Sequence, residues 1–167
     1  ATKGGLTRQG PNQWLPVARP EYLRQCVEMS LRRLRLERID LYQLHRIDPK
    51  VPVEESLGAL VDLQKAGKIR HIGLSEVTQK EIERAQKTAR IVSIQNKYNI
   101  SDRSPDTEAA LTFCERNKLA FIPWFPVAAG KLAESGGALD SAAKKHHVTL
   151  AQLSIAWLLH RSPVMLP

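Results

Sequence analysis

Two patterns of apolar and polar positions alternate along the chain: short apolar runs, and longer stretches whose apolar residues recur every three or four positions. The first pattern reads as buried strands of a parallel sheet, the second as amphipathic helices packed against it. Ala1–Gly5 reads as the last residues of a strand followed by a glycine-rich loop. Gly10–Pro20, interrupted by Pro11, Pro16 and Pro20, reads as irregular. Pro20 suits a first helical turn, and Leu23, Val27, Leu31 and Leu34 then keep helical spacing to about Leu36. Ile39–Arg46, Ile-Asp-Leu-Tyr-Gln-Leu-His-Arg, is the next strand. Alternation puts Leu41, Gln43 and His45 on one face, and Asp40, Tyr42 and Leu44 on the other.

The cycle then repeats. Val53–Ala66 is a helix with Leu57, Leu60, Val61 and Gln64 on one side, stopped by Gly67 in the C′ position. Ile69–Ser75 is a strand, and Thr78 with Glu81 forms a capping box for a helix to about Thr88. Ile91–Asn96 is a strand. Ser104 and Pro105 open a helix expected to bury Ala109, Ala110 and Phe113, and Leu119–Phe125 is a strand again. Two helical parts, Gly137–His147 and Thr149–His160, precede the start of one more strand at Val164–Leu166. The second part is expected to be buried through Leu150, Leu153, Ile155, Ala156, Leu158 and Leu159.

Strand and helix therefore alternate, with strands roughly 30 residues apart, the length of a βαβ unit. Such α/β units build a doubly wound sheet or a barrel. No G-x-G-x-x-G follows a strand, which argues against a dinucleotide-binding doubly wound sheet. Polar or aromatic residues close four successive strands: His45, Ser75, Gln95 and the Trp124 region. That is the active-site layout of a (β/α)8 TIM barrel. A complete barrel takes about 250 residues, so 167 residues predict a single domain, residues 1–167, that is a partial barrel.

Composition changes this picture little. Apolar content of 43% and charged content of 25% are those of an ordinary globular protein. The net charge of +8 raises nucleic acid or an anionic surface as a partner. Its densest cluster, Arg32, Arg33, Arg35 and Arg38, lies near a helix end, where cations complement the helix dipole. With 5% aromatic residues and no binding signature, nucleic acid is not expected as a partner. Cys26 and Cys114 lack metal-ligand spacing, so no metal site is expected, and both read as reduced structural thiols. No run is long enough to span a bilayer, and Ala1–Gly5 has no leader-like apolar core. A cytoplasmic protein is expected.

Read singly, His45 is a core histidine, Lys3 a surface residue and Trp124 a core tryptophan. Five stretches taken together change that reading. Asp-Leu-Tyr-Gln-Leu-His at 40–45, Gly-Lys-Ile-Arg-His-Ile-Gly-Leu-Ser at 67–75, Gln-Asn-Lys-Tyr-Asn at 95–99, Pro-Trp-Phe-Pro-Val at 123–127 and Ala-Gln-Leu-Ser-Ile-Ala-Trp-Leu-Leu at 151–159 resemble, in order and spacing, the aldo/keto reductase superfamily. The resemblance covers nearly the whole chain, from the end of the family's third strand to the start of its eighth.

The resemblance implies NADPH-dependent reduction of aldehydes and ketones, reversible as alcohol oxidation. Hydride passes from the nicotinamide to the carbonyl carbon while a tyrosine hydroxyl protonates the oxygen. The family's tetrad is Asp, Tyr, Lys and His. Tyrosine is a weak acid at neutral pH, and a nearby ammonium is needed to make it a better one. Lys3 matches that lysine, and His45 the histidine that orients and polarises the substrate carbonyl. Ser75 and Gln95 match residues that hold the nicotinamide carboxamide, and Trp124 the aromatic that stacks on the ring. Phe125, Pro126, Val127, Ala129 and Lys131 match the loop around the pyrophosphate, where backbone N–H groups and the lysine supply donors and charge.

Three departures stand out. Glu76 replaces the Asn common in the family, and a carboxylate there accepts hydrogen bonds from the carboxamide without donating one. Phe125 stands where many relatives have serine. The family's Asp and Tyr lie before Lys3, and the phosphate site of the adenosine ribose lies after the final strand. The expectation is therefore a reductase segment with the Lys and His of the tetrad but without its Tyr and Asp. Tyr42, of opposite parity to His45, is expected to face a helix, while Tyr98, past its strand's end, remains open as a substitute donor. The alternative is a reductase-like cofactor-binding or regulatory subunit without turnover.

Overall fold

A computed structural model describes residues 1–128 and 139–167. They form two compact units, Ala1–Ile94 and Gln95–Pro167. Among the described residues, no helix is long and apolar enough to cross a membrane.

The first unit opens with β1 (Thr2–Gly4), β2 (Leu6–Gly10) and β3 (Gln13–Pro16), then α1 (Pro20–Leu34), β4 (Ile39–Leu44), α2 (Val53–Lys65), β5 (Ile69–Ser75), α3 (Gln79–Gln86) and β6 (Ile91–Gln95) at its boundary. The strands order β1-β4-β5-β6. β1 runs parallel to β4, with Thr2 opposite Tyr42 and Lys3 opposite Gln43. β4 runs parallel to β5, with Leu44 opposite Leu74. Leu23 and Val27 of α1, Tyr42 and Leu44 of β4, Leu57 and Leu60 of α2, and Ile72 and Leu74 of β5 are all buried. The helices thus cover the sheet face that carries the even-numbered residues of β4 and β5.

Local chemistry explains the element ends. In α1, Pro20 occupies the first turn beside Glu21, Arg32 and Arg33 lie in the last turn, and Arg35 closes the helix in the left-handed conformation. Thr78 and Glu81 cap α3 reciprocally, as their spacing predicts. Gly67, at φ 75°, provides the left-handed residue after α2 that a side chain would strain.

The stretch read as irregular is instead an antiparallel hairpin. Leu6 lies opposite Pro16 and Arg8 opposite Trp14, with a register shift between Arg8 and Gly10. Pro11 falls in the turn and Pro16 at the strand end, positions where a missing N–H costs the ladder little. The prolines that read as breakers therefore flank the strands without interrupting them. Arg8 stacks over the Trp14 ring, 5.2 Å from its centroid.

The second unit contains α4 (Pro105–Asn117), β7 (Ala120–Phe121), α5 (Asp140–His146) and α6 (Leu150–Arg161). The strand expected over Leu119–Phe125 shrinks to two residues. Pro123 and Pro126 cannot donate to a ladder, and Trp124 makes only an isolated parallel bridge to Lys97. Val164–Leu166 likewise contributes one parallel bridge, Met165 to Phe121. The buried side of α4 is Ala110, Leu111 and Cys114, whereas Ala109 is exposed and Phe113 half-buried. Cys114 packs as a small hydrophobe and turns the buried stripe by one position. In α6 only Ser154 and Leu158 are buried, and Leu159 is 56% exposed. An almost wholly apolar helix carries no periodicity to say which side is covered. The helical part expected from Gly137 begins outside the described residues and is helical from Asp140.

Candidate active site

In the first unit, the C-terminal ends of β1, β4 and β5 bring three expected site residues together. Lys3 lies opposite Gln43, so it shares the face of Gln43 and His45. His45 follows β4 directly, and its N–H donates to the Gly4 carbonyl at 2.8 Å, which ties the end of β4 to the end of β1. Ser75 ends β5 and is buried. Gln43 is buried one layer below, its amide reaching the Ser93 hydroxyl at 3.5 Å.

Arg46 connects these groups. Its Nη1 donates to the His45 carbonyl at 2.6 Å and to Ser75 Oγ at 3.3 Å. Sequence reading passed over Arg46 as the last residue of a strand. The available signal was a guanidinium directly after a strand-end histidine.

The charges are set by this crowding. Burial first, then Arg46, lowers the Lys3 ammonium below an ordinary lysine pKa. Burial first, then Arg46 and Lys3, pushes His45 down to about 4. The imidazole is therefore neutral at pH 7 and offers one N–H donor beside a fixed positive field. Such a group polarises a carbonyl oxygen by hydrogen bonding and is not itself a proton source at that pH. Glu76, next to Ser75, holds φ 54°, a left-handed conformation that Asn tolerates better than Glu. The family's usual Asn at this position has a backbone reason as well as a chemical one.

Tyr42 lies on the opposite face, as its parity predicts. Its hydroxyl is buried against Gly4 and Cys26 and has no hydrogen-bond partner among the described residues. Burial first, then Cys26 and Tyr22, raises its pKa.

In the second unit, Gln95 presents a buried Oε1 with no hydrogen-bond partner among the described residues. Trp124 is half-buried, with Phe125 packed on it at 4.7 Å between centroids. Its N–H donates to the Asn96 carbonyl, and its carbonyl accepts from Tyr98 N–H. Phe125 is 41% exposed and also left-handed, at φ 59°. Its carbonyl accepts from the Asn99 amide at 3.1 Å. Pro126 and Val127 are half-buried in the turn that follows, and Ala129 and Lys131 lie outside the described residues.

Tyr98 is fully buried, edge-on to Phe121 and stacked on Trp157. Its hydroxyl donates to Glu108 at 2.8 Å, and Arg161 holds the same carboxylate at 2.6 Å. Burial first, then Glu108, pushes its pKa up to about 12. The geometry makes Tyr98 a packing and anchoring residue. Among the described residues, no group of three or more His, Cys, Asp and Glu side chains could hold a metal ion.

Known proteins resemble this chain in sequence and in fold. The sequence profile of the aldo/keto reductase family matches residues 1–167. An uncharacterized oxidoreductase of Schizosaccharomyces pombe is 49% identical over 167 residues, which are all of this chain and 54% of that protein. A glycerol dehydrogenase from Gluconobacter oxydans superposes with TM-score 0.87 at 26% identity, covering 99% of this chain and 61% of that one. An aldo/keto reductase from Klebsiella pneumoniae, solved with NADP and acetate, superposes with TM-score 0.71 at 27% identity, covering 82% and 50%. The chain thus spans about half to three fifths of the proteins it matches, and its parallel strands and alternating helices correspond to part of their (β/α)8 barrel. With the family profile matched from the first residue to the last, this chain belongs to the aldo/keto reductase family.

Proposed function

We propose that the protein containing this chain transfers hydride from NADPH to the carbonyl of an aldehyde or ketone, and catalyses the reverse oxidation of the alcohol. The observation that carries this reading is the meeting of Lys3, His45 and Ser75 at the C-terminal ends of β1, β4 and β5. In this reading His45, neutral and wedged beside two cations, donates a hydrogen bond to the carbonyl oxygen and fixes its direction. The Lys3 ammonium lowers the cost of forming a phenolate near it, as the family's tyrosine requires when it gives up its proton.

Each unit, taken by itself, carries groups of the kind that a nicotinamide requires. In the second unit Gln95 Oε1 is a buried acceptor without a donor among the described residues, and a carboxamide NH2 group is such a donor. In the first unit Ser75 offers a hydroxyl; in the second, half-buried Trp124 has an aromatic surface of the kind on which a flat ring stacks. NADPH, when bound, supplies the hydride. The substrate class is a small-molecule carbonyl, and a cytoplasmic location suits a cofactor of that compartment.

The test is carbonyl turnover by the full-length protein, followed by NADPH consumption. His45→Ala is expected to lower turnover at least about tenfold, because one positioned hydrogen-bonding group is lost. NADPH affinity should change by less than about twofold, since His45 serves the substrate. Turnover by His45→Ala equal to that of the unchanged protein removes the assignment. NADPH binding without turnover of any aldehyde or ketone by the unchanged protein selects the regulatory reading.

A further inference from the structure

We propose that Arg46 is a positioning residue for the nicotinamide end of the cofactor, acting by fixing the direction of the Ser75 hydroxyl. The inference rests on the proposed reading that Ser75 meets the carboxamide. A guanidinium donates and never accepts. Because Arg46 Nη1 occupies a lone pair of Ser75 Oγ at 3.3 Å, the Ser75 proton must point elsewhere. Ser75 is only 2% exposed, and its hydroxyl donates to no acceptor among the described residues. A buried donor without an acceptor is costly unless a bound molecule completes it. A carboxamide oxygen is such an acceptor.

The guanidinium is itself held in place. The same Nη1 is anchored to the His45 carbonyl at 2.6 Å, within the chain segment that carries the substrate-orienting imidazole. Arg46 forms no ion pair among the described residues, so its charge is not neutralised by a neighbouring carboxylate there. A positive charge on the acceptor side of a hydroxyl polarises the O–H bond and makes it a stronger donor. One residue thereby couples the histidine end of β4 to the cofactor-facing end of β5. Lysine in its place keeps a charge and several N–H donors on one nitrogen, but its shorter stem and rotating ammonium do not fix the two N–H directions as the guanidinium plane fixes those of Nη1.

The test is a binding cycle on the full-length protein with two probes: NADPH, and 2′-phospho-ADP-ribose, which is the same nucleotide without nicotinamide. Arg46→Gln is expected to weaken NADPH roughly tenfold and to leave 2′-phospho-ADP-ribose within about twofold. Ser75→Ala should behave likewise, and the double variant should lose no more than either single one. Arg46→Lys should fall between Arg46→Gln and the unchanged protein. Equal weakening of both probes by Arg46→Gln and by Arg46→Lys would mark Arg46 as merely structural and overturn the inference. So would full additivity in the double variant. If the unchanged protein binds both probes equally, the nicotinamide makes no contact at the strand ends, and the proposed cofactor site falls together with this inference.

Discussion

Gly73 lies directly against Ser93: a Cβ on residue 73 would sit inside the contact radius of Ser93 Oγ, and 3.1 Å from both the Ser93 carbonyl oxygen and Gln43 Cγ. One layer below His45 and Ser75, a side chain larger than glycine's therefore fits only if Ser93 Oγ turns away and its neighbours give by a few tenths of an ångström. Gly73→Ala is expected to destabilise the protein by about 1–3 kcal/mol through overpacking. Ser93→Ala, by removing the closest atom, should restore part of that loss in the double variant. Denaturant midpoints for the three variants check this. A Gly73→Ala protein as stable as the unchanged one would mean that the sheet has room to give.

Two buried tyrosines should respond to the same substitution with opposite signs. Tyr98→Phe removes a hydroxyl bonded to Glu108 and is expected to cost roughly 1 kcal/mol. Tyr42→Phe removes a hydroxyl with no partner among the described residues, so it should be neutral or stabilising. Neither should lower carbonyl turnover beyond what altered stability explains. Abolished turnover in Tyr98→Phe, with its fold intact by circular dichroism, would make Tyr98 the proton donor after all.

His45 ties stability to pH. Its pKa is pushed down to about 4 in the folded chain, against an ordinary value of about 6.5 when unfolded. Between these values the unfolded chain binds more protons, so stability rises with pH across the window and is lost as pH falls through it. His45→Gln should flatten the dependence of the urea midpoint between about pH 4 and 6.5. An unchanged slope would assign the dependence to other groups.

Trp124→Ala is expected to weaken NADPH binding about tenfold by removing a stacking surface, while Trp124→Phe keeps most of it. Fluorescence titration of both variants separates stacking from packing. If both bind like the unchanged protein, Trp124 serves only to seat Phe125.

Alternation and helical spacing alone place β5 at Ile69–Ser75, the Thr78–Glu81 cap and the lone strand-end His45, because local rules govern each. Opposite parity alone turns Tyr42 away from His45. What needed the tertiary structure is whatever depends on which neighbour covers a residue. The β2–β3 hairpin was hidden because a proline in a turn or at a strand end reads the same as one that breaks a strand. Cys114 joined the core of α4 only because of what packs there, and α6 is too uniformly apolar to reveal its covered side. Arg46 is the clearest case. Its identity was in plain view beside His45, but its reach to Ser75 crosses 29 residues of sequence. Only the parallel register of β4 on β5 makes them neighbours, since pairing between distant strands sets which strand ends meet, and no local pattern encodes that distance.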